Sequence, residues 1–326
     1  MLQKIKHLFQ RFGLCCKAFP GNIREFGSKI ALVQFWDVLI PTGKSKYYIE
    51  TLSRYMCREL ESVVEECNAG KLQSPMPLQQ LTKVPVWVCW WQGEAAMPPI
   101  VRACVEKLRR SLPDNAQLHL ITWDNVKEYI ALPQHVLHKN QDGIIGLAHL
   151  SDVLRFGLLS IYGGLWIDST VYMSKAIPSL WFDSLFYTQK FSHWIDCPQE
   201  ACRGLWCGFF IGGAANNTIF VFLYEALCRW WSKHNRAIDY VLFDYILWAG
   251  YCGVPTIRAT IDGVAPNNPN IWLLAKHLND AYEPEAYQKM MESNGFFKLS
   301  YKGKLEETTA DGKKTVYRHI LEENER

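Results

Sequence analysis

No Cys-x-x-Cys pair occurs in the 326 residues, although 11 cysteines are present. Their number is odd and they are scattered, apart from adjacent Cys15 and Cys16; Cys202 and Cys207 stand close but five apart. Zinc fingers and a disulfide framework find no support, and reduced thiols in a cytosolic compartment fit best. An excess of one charge is also missing. The 35 Lys+Arg face 32 Asp+Glu, a net of +3, which leaves no global case for nucleic-acid binding. There is no P-loop and no G-x-G-x-x-G after the first expected strand, so NTPase and dehydrogenase readings fail. Internal repeats and low-complexity tracts are absent too. The one uncharged run long enough to span a bilayer, Gly204 to Tyr224, is interrupted by Gly212, Gly213, Asn216, Asn217 and Thr218. It reads as strand, turn and helix.

What is there is an ordinary globular composition, 49% hydrophobic and 21% charged, with enough length for a large core. Aromatics reach 13%, including 13 Trp. Tryptophan either fills a core or covers flat, partly polar ligands such as sugar rings. The balanced charge is unevenly placed: residues 1–30 carry six Lys/Arg against Glu25 alone. Leu2, Ile5, Leu8, Phe9 and Phe12 share one helical face, with Lys4, Lys6 and Arg11 between them. No long apolar stretch or small-residue cleavage site follows, so this is not read as a secretory signal. It is either a contact with an anionic membrane surface or a helix packed on its own domain.

Residues 1 to about 70 read as helical, most clearly Tyr47 to Cys67. Asn68-Ala69-Gly70 and Ser74-Pro75-Met76-Pro77 then break the chain. Val84 to Trp91 is β-branched and aromatic, a buried strand. Pro98-Pro99 opens a helix through Leu112, and Ala116 to Trp123 is a second strand. Asp124 is expected to cap a short helix from Asn125 to Ala131. A long helix is expected from Gly143 to Tyr162, ended by Gly163-Gly164, and Leu165 to Tyr172 is a third strand. Cys207 to Ile211 is a further strand. Asn216 and Asn217 cap a helix to about Ser232, and Ala237 to Trp248 is helical. Strands alternating with helices predict an α/β layered domain with a largely parallel sheet.

Chemistry concentrates in Ser151 to Tyr172. Leu147, Leu150, Leu154, Leu158 and Ile161 form an apolar helical stripe. Asp152 and Arg155 lie three apart beside it, flanked by Phe156 and Leu159. Such a pair needs partners: each other, or a polar ligand. If Leu165 to Tyr172 is one strand, Trp166, Asp168, Thr170 and Tyr172 share a face. A carboxylate inside an apolar strand is disfavoured unless a metal ion or ligand hydroxyls hold it. Such a carboxylate can take Mg²⁺ or Mn²⁺ together with substrate phosphates.

Ser151-Asp152, Arg155, Leu159, Tyr162-Gly163-Gly164, Trp166 and Asp168 together resemble the core signature of the capsular polysaccharide synthesis glycosyltransferases. These belong to a larger group of sugar transferases with a DXD motif. Val84-Pro85, Trp91-Gln92-Gly93, Leu120-Ile121-Thr122 with Asn125 and Tyr129, and Cys207 to Asn217 fit the same pattern. The resemblance covers roughly residues 80–270 and more faintly the tail through Lys302. It implies a GT-A-like, Rossmann-type mixed and mostly parallel sheet flanked by helices, with a helical N-terminal extension. The expected units are residues 1–78, a nucleotide-sugar-binding catalytic domain at 79–270, and a segment closing over the site at 271–326.

The resemblance further implies transfer of a sugar from a nucleotide sugar, first a UDP-sugar, with retention of configuration. The acceptor would be a saccharide or lipid-linked saccharide in bacterial surface polysaccharide synthesis. Asp168 would meet the metal–diphosphate, while Asp152 and Arg155 hold sugar hydroxyls and orient the anomeric carbon. Trp91 and Gln92 would face the nucleoside, beside Gly163 and Gly164. Lys302 would fold over the diphosphate, and Asp244 would be an acceptor-side acid or a helix-surface carboxylate. Asp168 and Thr170 would hold Mn²⁺ or Mg²⁺, but Asp168-Ser169-Thr170 departs from Asp-x-Asp, giving a hydroxyl where relatives have a second acid. The implied location is cytoplasmic, peripheral on the inner membrane face. The competing expectation is a catalytically silent saccharide-binding scaffold.

Overall fold

A computed structural model of the chain describes residues 2–37, 44–191 and 201–325. It opens with helices α1 (Leu2–Phe26), α2 (Ser28–Asp37), α3 (Lys46–Glu59) and α4 (Glu61–Asn68). The Ser45 hydroxyl caps α3 by accepting the Tyr48 N–H at 3.1 Å. The single helix expected from Tyr47 to Cys67 is broken at Leu60, which leaves helical geometry between α3 and α4. The side chains of residues 2–11, including the apolar stripe from Leu2 to Phe9 and its basic neighbours, lie outside the described residues. Among the described residues no helix is long and apolar enough to cross a membrane.

The layered part follows as β1 (Val84–Cys89), α5 (Pro99–Arg110), β2 (Ala116–Ile121), α6 (Val126–Tyr129), α7 (Gln134–Gln141), α8 (Leu147–Tyr162) and β3 (Gly164–Ile167). Pro98 and Pro99 begin α5, where a missing N–H costs nothing. Asn125, not Asp124, fastens the turn after β2. Its Oδ1 accepts the Thr122 N–H and its Nδ2 donates to the Leu120 carbonyl, both at 2.9 Å. The expected helix from Gly143 begins only at Leu147. Helix α7 was not expected at all.

The expected strand from Leu165 to Tyr172 does not exist as one element. Asp168 makes the last bond toward the β6 side, donating its N–H to the Phe209 carbonyl, and its own carbonyl accepts the Val171 N–H to close a turn, each at 2.9 Å. The chain turns there and re-enters as β4 (Val171–Met173) in a second sheet. Then come α9 (Leu180–Asp183), β5 (Phe186–Thr188), β6 (Phe210–Gly213), α10 (Thr218–Lys233), α11 (Leu242–Gly253) and α12 (Pro255–Asp262). The strand expected at Cys207 starts three residues later, and the helix expected at Ala237 starts at Leu242. Asn217 caps α10 through a bond from the Ile219 N–H, as expected. The chain closes with α13 (Leu273–His277), α14 (Pro284–Ser293), β7 (Phe296–Lys298) and α15 (Val316–Glu325).

The main sheet has the order β2-β1-β3-β6-β5. β1 is parallel to β2 and β3, while β6 is antiparallel to both its neighbours, so β6 alone runs against the other four strands. This is the expected mixed, mostly parallel sheet flanked by helices. The strand period of two sorts side chains onto two cores. Trp87, Trp166 and Ile211 face α8, α10, α11 and the N-terminal α3 and α4. Val86, Val88, Leu165, Ile167 and Phe210 face α5, β4, β7, α14 and α15.

Gly163 and Gly164 make the junction of α8 and β3 possible. Both have positive φ, 65° and 86°. A Cβ on Gly163 would lie 2.5 Å from the Ala215 amide nitrogen, and one on Gly164 would collide with the Pro85 carbonyl. Only glycine permits this approach of β3 to β1 and β6. The chain leaves β1 toward one side of the sheet and enters β3 on the other. A crevice therefore opens at the carboxyl ends of these neighbouring strands.

Candidate active site

That crevice is a cleft of about 770 Å³. Trp90, Trp91 and Gln92 enter it from the end of β1, and Asp168 and Thr170 from the end of β3. Helix α8 contributes Ala148, Ser151, Asp152 and Arg155, whose spacing of three and four residues puts them on one face. Asp244 comes from the first turn of α11, and Lys298 and Lys302 from the end of β7 and the loop beyond it.

A chain of charges crosses the cleft floor. Arg155 Nη1 donates to Asp152 Oδ1 at 2.6 Å, and Arg155 Nη2 to Asp168 Oδ1 at 3.4 Å. Trp166 Nε1 donates to the same Asp168 oxygen at 3.0 Å. Lys298 Nζ donates to Asp168 Oδ2 at 2.8 Å and to Thr170 Oγ1 at 2.6 Å. The guanidinium carbon lies 4.9 Å from the centre of the Trp166 ring and 5.6 Å from that of Phe243. These rings hold the planar cation in place. Arg155 Nε is buried without a partner, so the guanidinium keeps an unused donor.

The two carboxylates behave differently. Burial pushes Asp152 up from the ordinary aspartate value, against the pull of Arg155. Burial also acts on Asp168, but the Lys298 ammonium and the Arg155 guanidinium outweigh it and hold that carboxyl down at about 2. Asp168 is therefore a fixed anion between two cations, and Asp152 is the more desolvated group. The Cys89 thiol, also lining the cleft, is pushed up to about 12 by burial. It stays protonated and is no nucleophile at neutral pH.

Trp91 is buried, donates from Nε1 to Ser151 Oγ at 2.8 Å and lies against Trp123 with ring centres 4.3 Å apart. Gln92 is exposed at the rim. Asp244 is no helix-surface carboxylate. It is buried and accepts from Trp206 Nε1 at 2.8 Å.

Two expectations need correction. Gly163 and Gly164 sit at the opposite end of β3 from the cleft, so they shape the sheet and do not touch a ligand in it. Asp168 and Thr170 meet at one point through the turn after β3, not through strand alternation. Lys302 lines the cleft at its exposed rim, and the cation that reaches Asp168 is Lys298. Sequence reasoning also missed Trp90 and Tyr301, which line the cleft with ring centres 5.5 Å apart. Trp90 Nε1 is buried without a partner. Its only signal was its place beside Trp91. His149, beside the signature, bonds the Tyr240 carbonyl at 3.1 Å and does not line the cleft.

A resident divalent metal does not fit these residues. Among the described residues no group of three or more His, Cys, Asp or Glu is placed to hold one. The pair that would carry it, Asp168 and Thr170, supplies one carboxylate and one hydroxyl, and the Lys298 ammonium is bonded to both.

Comparison with known proteins agrees with the signature. One relative, "O-glycosyltransferase braB" from Annulohypoxylon truncatum, is 27% identical over 108 residues, 31% of this chain. The match spans about a quarter (26%) of that relative's length. A solved structure, "PaToxG Glycosyltransferase", matches over 85% of this chain and 98% of its own, with a TM-score of 0.38 and 11% identity, too distant to argue from. The family of capsular polysaccharide synthesis proteins matches residues 40–320, which include the main sheet and the whole cleft. The chain belongs to that family.

Proposed function

We propose that this protein is a glycosyltransferase acting in capsular or related surface polysaccharide synthesis. It moves a sugar from a nucleotide sugar, first a UDP-sugar, to a hydroxyl of a saccharide or lipid-linked saccharide. The observation that carries the reading is the Asp152–Arg155–Asp168 network at the carboxyl ends of β1 and β3. A buried carboxylate with spare lone pairs accepts from sugar hydroxyls, and the guanidinium fork fixes their orientation. Leaving-group charge builds on the diphosphate, and Arg155 and Lys298 bring positive charge to that end of the cleft. Trp90 and Trp91 give aromatic surface at the end of β1, where a nucleoside base would lie. Asp244, across the cleft on α11, would face the acceptor. Retention of configuration is part of the proposal by family resemblance alone.

The test is release of UDP from a panel of UDP-sugars by the purified chain. Turnover of at least one donor is expected. The Asp168→Asn variant should lose at least about 100-fold in rate, a share comparable to removing one preorganised charge at a transition state. A protein that binds oligosaccharide but neither binds nor turns over any nucleotide sugar would be the silent scaffold instead.

A further inference from the structure

We propose that Lys298 takes the place of a divalent cation at this site, so that the chain holds its diphosphate donor without metal. The proposal rests on the nucleotide-sugar reading above. It starts from the register of the small sheet. β7 pairs with β4 so that Lys298 stands opposite Val171, the residue after Thr170. The Leu299 N–H donates to the Thr170 carbonyl at 2.9 Å and fastens the two segments at that point. The Lys298 side chain is thereby delivered to the turn after β3.

Its ammonium does there what a metal ion does between two oxygen ligands. It binds one carboxylate oxygen of Asp168 at 2.8 Å and the Thr170 hydroxyl at 2.6 Å. Thr170 matters because a hydroxyl accepts from an ammonium without adding charge, whereas a second carboxylate would leave the pair net negative. The other Asp168 oxygen is already used by Arg155 and Trp166. Both oxygens are thus satisfied by this chain's own donors. A divalent ion entering here would meet a fixed cation and only one carboxylate.

An ammonium has three N–H groups, two of which serve Asp168 and Thr170. The third is available for a phosphate oxygen. The ammonium lies 5.3 Å from the Phe209 ring centre, and its side chain is 20% exposed toward the cleft. In the transfer, the bond from the anomeric carbon to the diphosphate oxygen breaks, and its electron pair stays on that oxygen. A bond to the acceptor oxygen forms, and the acceptor proton ends on the released diphosphate. Lys298 donates a hydrogen bond to the diphosphate as its charge grows.

Two measurements decide the matter. The first titrates protein into Mn²⁺ and follows the Mn²⁺ electron paramagnetic resonance signal. The wild type should leave the signal nearly unchanged. A Thr170→Asp/Lys298→Gln double variant, which removes the cation and adds an acid, should bind Mn²⁺ at least about tenfold more tightly. The second follows UDP binding by calorimetry, in EDTA and with Mn²⁺. The wild-type Kd should differ by less than about twofold between them. Lys298→Gln should weaken UDP binding in EDTA at least about tenfold, and Lys298→Arg should restore most of it. Circular dichroism checks that each variant is folded. Wild-type UDP binding that vanishes in EDTA and returns with Mn²⁺ overturns the proposal. So does wild-type Mn²⁺ affinity equal to that of the double variant. If UDP binds under neither condition, the nucleotide-sugar reading falls, and the Mn²⁺ titration still decides whether Lys298 holds the cation position.

Discussion

Removing Arg155 should cost this protein stability chiefly through the acid it leaves behind. The Arg155 and Asp152 side chains are only 8% and 11% exposed, with 2.6 Å between Nη1 and Oδ1. At an effective dielectric constant of about 20, attraction across that distance is about 6 kcal/mol gross. Desolvation takes back several kcal/mol for each ion, so the pair is worth little against an apolar replacement of both partners. Deleting one partner is different. In Arg155→Met the Asp152 carboxylate stays buried with its counter-charge gone, a loss of about 3–5 kcal/mol. Asp168 adds little, because it keeps Lys298 and its side chain is 30% exposed. The loss should depend on pH with a definite sign. Burial already raises Asp152 in the folded state, and without Arg155 it rises further. The folded state then binds a proton that the unfolded state lacks, so stability falls as pH rises above the unfolded value of about 4. Urea unfolding of wild type and Arg155→Met from pH 4 to pH 8 measures this. The gap should be widest at neutral pH and narrow toward pH 4, and Asp152→Asn in the Arg155→Met background should recover part of it. A gap below about 1 kcal/mol with no pH dependence would refute the reasoning.

Asp168 should show the opposite pH behaviour. Its carboxyl is held down at about 2 in the folded state, so its stabilisation is complete above the unfolded value of about 4 and is lost as pH falls through about 2. Unfolding free energies of wild type and Asp168→Asn should differ by about 2 kcal/mol at pH 6 and converge near pH 2. Gly164→Ala should lower the melting temperature sharply, because an L side chain at φ 86° costs about 1–2 kcal/mol before the collision with the Pro85 carbonyl is counted. Gly93→Ala, also at positive φ but with open space around its Cβ, should cost only the conformational part. Equal losses at the two glycines would show that the close approach of β3 to β1 is unimportant.

Much of the layered fold was legible because its signals are local. Val84 to Cys89 is β-branched and aromatic enough to be a strand in any buried setting, and Ala116 to Ile121 puts Leu118, Leu120 and Ile121 in a short run between the Pro113 and Asp124 breaks. The apolar repeat of α8 and the Gly163-Gly164 stop needed no tertiary information. Neither did the Asn217 cap. Asp152 and Arg155 stood out because three residues on a helix bring an acid and a base together. The break after β3 was hidden, since Trp166 to Tyr172 also satisfies strand alternation. What ends β3 is the turn closed by the Val171 N–H on the Asp168 carbonyl, and what carries the chain away from the first sheet is the pairing of Val171 with Lys298, far along the sequence.

The amino-acid sequence by itself determined the α/β alternation, the family signature and the charged residues that make the cleft worth finding. Hydrophobic period, glycine geometry and capping are properties of neighbouring residues, so a linear reading reaches them. Only the tertiary structure decided which lysine reaches Asp168. Lys298 and Lys302 share one short run, and nothing local separates them. The pairing of Lys298 with Val171 sends one to Asp168 and leaves the other exposed at the rim. The same holds for Asp244, which the helical pattern allowed on a surface and which Trp206 instead holds in the buried wall of the cleft. Charge placement of this kind depends on strand register and on packing between distant segments, and those are fixed only when the whole chain is folded.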